Sequence, residues 1–105
     1  MTAIEFLYGL PGKVYPSALE GHETTFHFDL SGEGGGQCTV SVSDGQLNVE
    51  QVLNGRATCT VSSSAQDFLD VVTGKSNPMM AVMTGKVRIS NVSEMMKYAR
   101  MFGLG

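Results

Sequence analysis

The side chains best able to do chemistry are His22, Glu23, His27 and Asp29, from which an acid–base set could be drawn. If the segment around them is a strand, however, His27 and Asp29 fall opposite Phe26 and Phe28, on a face that meets water. Gly32-x-Gly34-x-Gly36 has the look of a phosphate cradle, yet a second strand pattern follows it where a dinucleotide fingerprint requires a helix. Cys38 and Cys59 are 21 positions apart, and His22 and His27 do not complete a metal-ligand spacing. Two buried thiols acting as small hydrophobes are the plainer expectation. Ser62-Ser63-Ser64 lacks a nucleophile-elbow context and reads as a strand end and helix cap. Tyr98 is left as the one polar group worth checking inside a pocket. These residues predict no enzyme, no cofactor and no metal.

Methionine is the residue type that stands out. Six of the seven lie between positions 79 and 101: Met79, Met80, Met83, Met95, Met96 and Met101. A thioether on three rotatable bonds fills irregular space and tolerates changing neighbours, which suits a deformable apolar ligand. The same residues could equally stand in for leucine in an ordinary core, and composition leaves both readings open.

The elements that must position them follow from periodicity. Residues 2–8 read as a short helix ended by Gly9-Leu10-Pro11-Gly12, and Pro16 opens another over 17–21. Phe26, Phe28 and Leu30 alternate with polar residues in a first strand, and Gly32-Glu33-Gly34-Gly35-Gly36 turns the chain. Cys38, Val40 and Val42 form the second strand, and Asp44-Gly45 is a hairpin turn. Leu47, Val49 and, at its limit, Val52 form the third strand; Ala57, Cys59 and Val61 form the fourth after Asn54-Gly55. Four strands with tight turns predict an antiparallel meander with one wet face.

At Ser64 the period becomes helical. Ser64 caps a helix bearing Phe68, Leu69 and Val72 and closed by Gly74. Asn77-Pro78 starts a short helix over 78–84, and Val87 and Ile89 make a fifth strand. Asn91-Val92-Ser93-Glu94 has capping-box spacing ahead of Met95, Tyr98, Ala99 and Phe102, with Gly103 as the stop. The apolar arc of this last helix, broken only by Lys97 and Arg100, is wider than one sheet contact needs. The order of elements predicts an α+β fold with helices over one sheet face.

Composition bounds the alternatives. The 105 residues, 42% hydrophobic and 16% charged, predict a single domain over 1–105 with one core. No apolar run approaches the roughly 18 residues of a membrane span, and residues 1–6 lack signal-peptide character, so a cytoplasmic protein is expected. With a net charge of −3 and dispersed Lys and Arg, nucleic acid is excluded as a partner. The same dispersion argues against more than transient membrane contact.

Ser76-Asn77-Pro78-Met79-Met80-Ala81-Val82-Met83-Thr84-Gly85-Lys86-Val87-Arg88-Ile89 resembles the signature that precedes the last strand and helix of the sterol carrier protein type-2 (SCP2) domain family. The stretch from Phe26 through Asp29 to Gly36 is similar to that family's first strand and hairpin, and the element order agrees along nearly the whole chain. The resemblance implies a five-stranded, mostly antiparallel sheet with an apolar tunnel under its helices. It also implies non-enzymatic binding and transfer of a long-chain lipid: a sterol, fatty acid, fatty acyl-CoA or phospholipid. Carried over residue by residue, the tunnel lining would be Phe68, Leu69 and Val72; Met79, Met80, Val82 and Met83; Met95, Met96, Ala99 and Phe102; and Phe26, Val40 and Ile89 on the sheet.

Ser90-Asn91-Val92 stands where the family has a basic-Gly-Asp step, and Cys38 where an aromatic often follows the glycines. Gly103-Leu104-Gly105 is not a peroxisomal address, which points to a bacterial or other non-peroxisomal member. The family strand order would set the first strand between those of Cys38 and Cys59, about 9.6 Å apart and beyond the roughly 7 Å reach of a disulfide, so free thiols are expected. The competing function is a non-catalytic interaction subunit or homodimer whose Met-rich helices bury against protein. A carrier predicts a cavity beside those helices; an interaction subunit predicts a filled core.

Overall fold

Alternation builds the sheet. The computed structural model describes residues 1–14 and 16–99. Strand β1 (Thr24–Ser31) buries Thr24, Phe26, Phe28 and Leu30 and turns Thr25, His27 and Asp29 to the other face. Strand β2 (Gly36–Ser43) pairs with it antiparallel, Val40 opposite Phe26 and Cys38 opposite Phe28. The hairpin between them closes so tightly that a Cβ at Gly35 would be driven into the Leu30 carbonyl. Asp44 and Gly45, at φ 52° and 72°, make the two-residue turn into strand β3 (Gln46–Glu50).

The expected meander ends there. Strand β4 (Cys59–Ser64) does not continue from β3; it runs parallel to β1 on that strand's far side, Cys59 opposite Phe26 and Val61 opposite Phe28. Strand β5 (Val87–Ile89) pairs antiparallel with β4, giving the order β3-β2-β1-β4-β5. The crossing is made over the polar face by residues 51–58. Thr39, buried on that face, donates to the Val52 carbonyl at 2.7 Å and accepts from the Asn54 N–H at 2.9 Å. Beside it the His27 Nε2–H donates to the Asn54 carbonyl at 3.0 Å. These bonds bend the chain out of the ladder, so Val52 lies beyond β3 and Ala57 ahead of β4. His27 is thereby a structural clamp, and Asp29 is exposed.

The helices cover the apolar face, as expected for α+β. Helix α1 (Ala3–Tyr8) starts with a full capping box between Thr2 and Glu5 and buries Ala3, Phe6 and Leu7. A 3₁₀ turn (Leu10–Gly12) and helix α2 (Pro16–Leu19) add Leu10 and Leu19. Helix α3 (Ala65–Val72) is capped by the Ser64 hydroxyl, which accepts from the Asp67 N–H. Helices α4 (Pro78–Met83) and α5 (Val92–Tyr98) complete the layer. The expected stop at Gly103 lies outside the described residues.

An aromatic cluster fills the middle of this layer. Phe26 and Phe28 stack with centroids 6.1 Å apart, Phe68 meets Phe28 edge-on at 5.7 Å and Phe6 at 6.2 Å, and Tyr98 meets Phe26 edge-on at 5.9 Å. Such pairs add about 0.5–1.5 kcal/mol each beyond their burial. Cys38 and Cys59 flank β1 on separate strands, both buried and both free.

Gly35→Ala must open the β1–β2 turn, and the expected loss of stability is about 2–4 kcal/mol in urea unfolding. Gly12→Ala, with nothing within 4 Å of the added carbon, is expected to stay within about 0.5 kcal/mol of the parent.

Candidate functional site

Helix α4 is six residues long, too short to persist unaided, and is fixed by its ends. The Asn77 carboxamide oxygen accepts from the N–H groups of Met79 and Met80 at 2.9 and 3.3 Å, and Pro78 occupies the first helical position. At the other end the Thr84 hydroxyl donates to the Met80 carbonyl at 2.8 Å and the Lys86 N–H to that of Ala81 at 2.9 Å. Only Ala81 is buried, so this small side chain sets the helix down on its neighbours. Met79, Val82 and Met83, spaced i, i+3 and i+4, share one face.

Helix α5 is held on two sides. At its start, Asn91 accepts from the Glu94 N–H and donates to the Thr58 carbonyl, and the Cys59 thiol donates to the Asn91 carbonyl at 3.5 Å. The capping-box spacing is only half used: the Glu94 carboxylate instead accepts from the buried Thr24 hydroxyl at 2.6 Å, tying the helix to β1. At its far end the Tyr98 hydroxyl lies 3.3 Å from His22 Nδ1. With Glu94 and Tyr98 turned to the sheet, Val92, Met95, Met96 and Ala99 form the opposite stripe at i, i+3, i+4 and i+7.

Between these stripes, α3 and the β4–β5 edge lies a cavity of about 450 Å³. Phe68 and Val71 line it from α3, Val61 from β4, and Val87 and Ile89 from β5. Val61, Phe68, Val87 and Met95 are buried and form its floor. Met79, Met83, Val92 and Met96 are 66%, 76%, 48% and 69% exposed and form its mouth. Asn77 is the one polar side chain lining it among the described residues, and its oxygen already caps α4. Among the described residues no charged group lines the space, which suits it to hydrocarbon.

Of the residues expected to line a tunnel, the structure brings Phe68, Met79, Val82, Met83, Ile89, Met95, Met96 and Ala99 together around this cavity. Phe26 and Val40 lie instead in the centre, both fully buried and opposite one another across β1 and β2, with the Tyr98 ring edge-on to Phe26. Leu69 and Val72 pack on the core without lining the cavity, which α3 meets through Phe68 and Val71. Met80 points away from the Met79–Met83 face and is 56% exposed. Phe102 lies outside the described residues. Val61, Val71, Asn77, Pro78, Val87 and Val92 line the cavity without having been singled out. Val92 was signalled by its i, i+3, i+4, i+7 relation to Met95, Met96 and Ala99; Val61 and Val87 needed the strand order.

The polar candidates are not assembled. His22 and Glu23 border a larger, shallow surface depression of about 730 Å³ with Glu20 and Asp44, while His27 is on the sheet's other face. Ser64 is a helix cap, and Ser63 donates to the Ser64 carbonyl. Among the described residues no helix is long and apolar enough to cross a membrane.

The sequence matches the SCP-2 sterol transfer family over residues 7–103. The chain belongs to that family. Sterol carrier protein 2 of Homo sapiens is 38% identical over 61 residues, a match covering 56% of this chain and 11% of that protein's length. The chain thus spans a small part of this relative. A palmitated sterol carrier protein 2-like protein of Aedes aegypti, solved in solution, superposes with a TM-score of 0.71 at 20% identity, over 97% of this chain and 95% of that one. The stereoselective inverting sec-alkylsulfatase of Pseudomonas sp. gives 0.71 at 19% identity, over 90% of this chain and 15% of the enzyme. The family is one of lipid-binding and lipid-transfer domains, generally non-catalytic, and the alkylsulfatase carries the same fold inside an enzyme.

Burial pushes the Cys38 thiol up to about 12, and burial also raises that of Cys59. The folded-state value of Cys38 lies above the ordinary 9.0, so its stabilising effect is complete below that pH and is lost as pH climbs toward 12. Unfolding free energy is expected to fall in that window by up to ~1.4 kcal/mol per pH unit from this thiol. Cys38→Ala should flatten the fall, as followed by urea titrations from neutral pH upward.

Proposed function

We propose that this chain binds one long-chain lipid by its aliphatic portion in the cavity between α4, α5 and the β4–β5 edge, and transfers or presents it without altering it. The observation that carries the reading is an apolar cavity of about 450 Å³ with a buried floor and an exposed methionine mouth. Its volume falls within the roughly 300–1,000 Å³ of small-molecule sites. A lining whose described residues carry no charge reads length and bulk, so a fatty acid, fatty acyl-CoA, sterol or phospholipid can enter tail first and leave its head group at the mouth. Methionine side chains adjust to each of these shapes. Family membership and the palmitated state of the Aedes aegypti relative support the same reading. Residues 1–105 would act as one unit in the cytoplasm, where two unpaired thiols are at home.

The second reading is an interaction subunit or homodimer. The exposure of Met79, Met80, Met83 and Met96 favours it, since clustered exposed apolar side chains mark contact surfaces. It predicts a dimer with the cavity closed by protein and no lipid within.

Native mass spectrometry on protein purified without detergent separates the two: a carrier shows a stoichiometric long-chain adduct, an interaction subunit a bare dimer that ignores added fluorescent fatty acid. Val82→Phe intrudes on the cavity from its α4 wall. If it displaces two ligand methylenes at ~0.8 kcal/mol each, fatty-acid affinity falls roughly tenfold. Unchanged affinity in a folded variant would move the lipid elsewhere.

A further inference from the structure

Strand alternation gives β4 and β5 two different faces. Val61, Val87 and Ile89 line the apolar cavity, so Ser62 and Arg88 turn to the opposite, polar side of the sheet. There the cross-strand register sets Asp29 of β1, Ser62 of β4 and Arg88 of β5 in one row. Ser31 and Ser64 are paired in the next row, and Lys86 directly precedes β5. All of these residues line a polar depression of about 320 Å³. Closer to the crossing segment the polar side chains are committed: His27 to the Asn54 carbonyl, Thr39 to Val52 and Asn54, and Ser90 to the Thr60 N–H. Inside the depression, the side chains of Asp29, Ser62, Lys86 and Arg88 make no hydrogen bond or ion pair with any described residue. The Ser64 hydroxyl accepts from the Asp67 N–H and keeps its own proton to donate. That of Ser31 has a long bond, 3.5 Å, to the Ser63 carbonyl.

We propose that this depression is a second ligand site, which takes a small hydroxylated phosphomonoester with its phosphate between Lys86 and Arg88 and its hydroxyls at Asp29. An arginine fork and a lysine ammonium both recognise phosphate, the first by two parallel bonds and the second as a point charge. The Ser62 and Ser64 hydroxyls add donors on the same strand. An ionised Asp29 can only accept, and Ser62 between them keeps it two strand spacings, roughly 9.6 Å, from Arg88. A carboxylate at that distance repels a second anionic group and favours the hydroxyls of a sugar or short polyol. The volume matches the lower end of the roughly 300–1,000 Å³ of small-molecule sites. None of these residues lines the apolar cavity, so the site stands independently of the carrier reading.

Glycerol phosphate, glycerol and inorganic phosphate are the probes, titrated into isotope-labelled protein and followed by amide chemical shifts. Glycerol phosphate is expected to move the amides of Ser62, Ser64 and Arg88 to saturation, and glycerol to move none of them. Inorganic phosphate, which brings no carbon-borne hydroxyl to Asp29, should bind about tenfold more weakly. Arg88→Gln and Lys86→Gln should each cost glycerol phosphate about tenfold or more in affinity, whereas Lys75→Gln, away from the depression, should cost nothing measurable. Asp29→Ala should narrow the gap between glycerol phosphate and inorganic phosphate. All four positions are exposed, and amide shifts elsewhere in the spectrum verify that each variant is folded. Absence of saturable shifts at these amides, or an equal loss with Lys75→Gln, would overturn the site. Arg88→Gln should take up a fluorescent fatty acid as the parent does. Fatty-acid uptake without phosphate binding removes this proposal and leaves the carrier reading intact; phosphate binding without uptake does the reverse.

Discussion

Phe26 and Phe28 stand 6.1 Å apart on the central strand, and Tyr98 and Phe68 close over them with ring edges. Interiors pack to nearly crystalline density, so a small domain cannot be hollow where its largest side chains interlock. The aromatic cluster anchors the helical layer over the middle of the sheet. The apolar cavity opens where the cover thins, over the β4–β5 edge. There Phe68 is the one aromatic ring among the described lining residues, and valines, an isoleucine and methionines make up most of the rest. Separating a rigid centre from a hollow margin lets one core of modest size hold the fold and still leave room for a ligand.

The two helical walls of the margin differ in how firmly they are held. Helix α5 is bonded to β4 by the Cys59 thiol, which donates to the Asn91 carbonyl, and to β1 through Glu94, with Tyr98 wedged on Phe26. Helix α4 buries Ala81 alone and depends on caps at its two ends. Few buried apolar contacts mean a low free energy of local opening. The cavity therefore has one fixed wall and one yielding wall, and the yielding one bears Met79 and Met83.

Much of this could be read from the sequence because each signal was local. The alternation around Phe26, the Asp44-Gly45 turn and the Asn77-Pro78 start all act within a few residues, and the elements lie where those patterns put them. The family resemblance supplied the strand order. Long-range facts were hidden from periodicity. The parallel β1–β4 pairing depends on Thr39 and His27 bending residues 51–58 across the outer face, and nothing near Asn54-Gly55 distinguishes that crossing from a hairpin. In α3, Phe68, Leu69, Val71 and Val72 are all apolar, so sequence spacing could not tell the cavity stripe from the core stripe. Phe26 carried the right polarity for a lining, but the Tyr98 ring, from another part of the chain, packs over it, and Val40 is buried opposite it on β2.

A sheet this small also has two open borders, and an exposed border is a template on which a foreign strand can grow. Here β5 offers only three residues and β3 only five. Arg88 projects from the first, with Lys86 just ahead of it, and Gln46, Asn48 and Glu50 are exposed on the second. Short borders with charged or amide side chains resist strand-on-strand growth. The greasy opening of the molecule thus lies beside a border too short and too charged to template strand-on-strand growth.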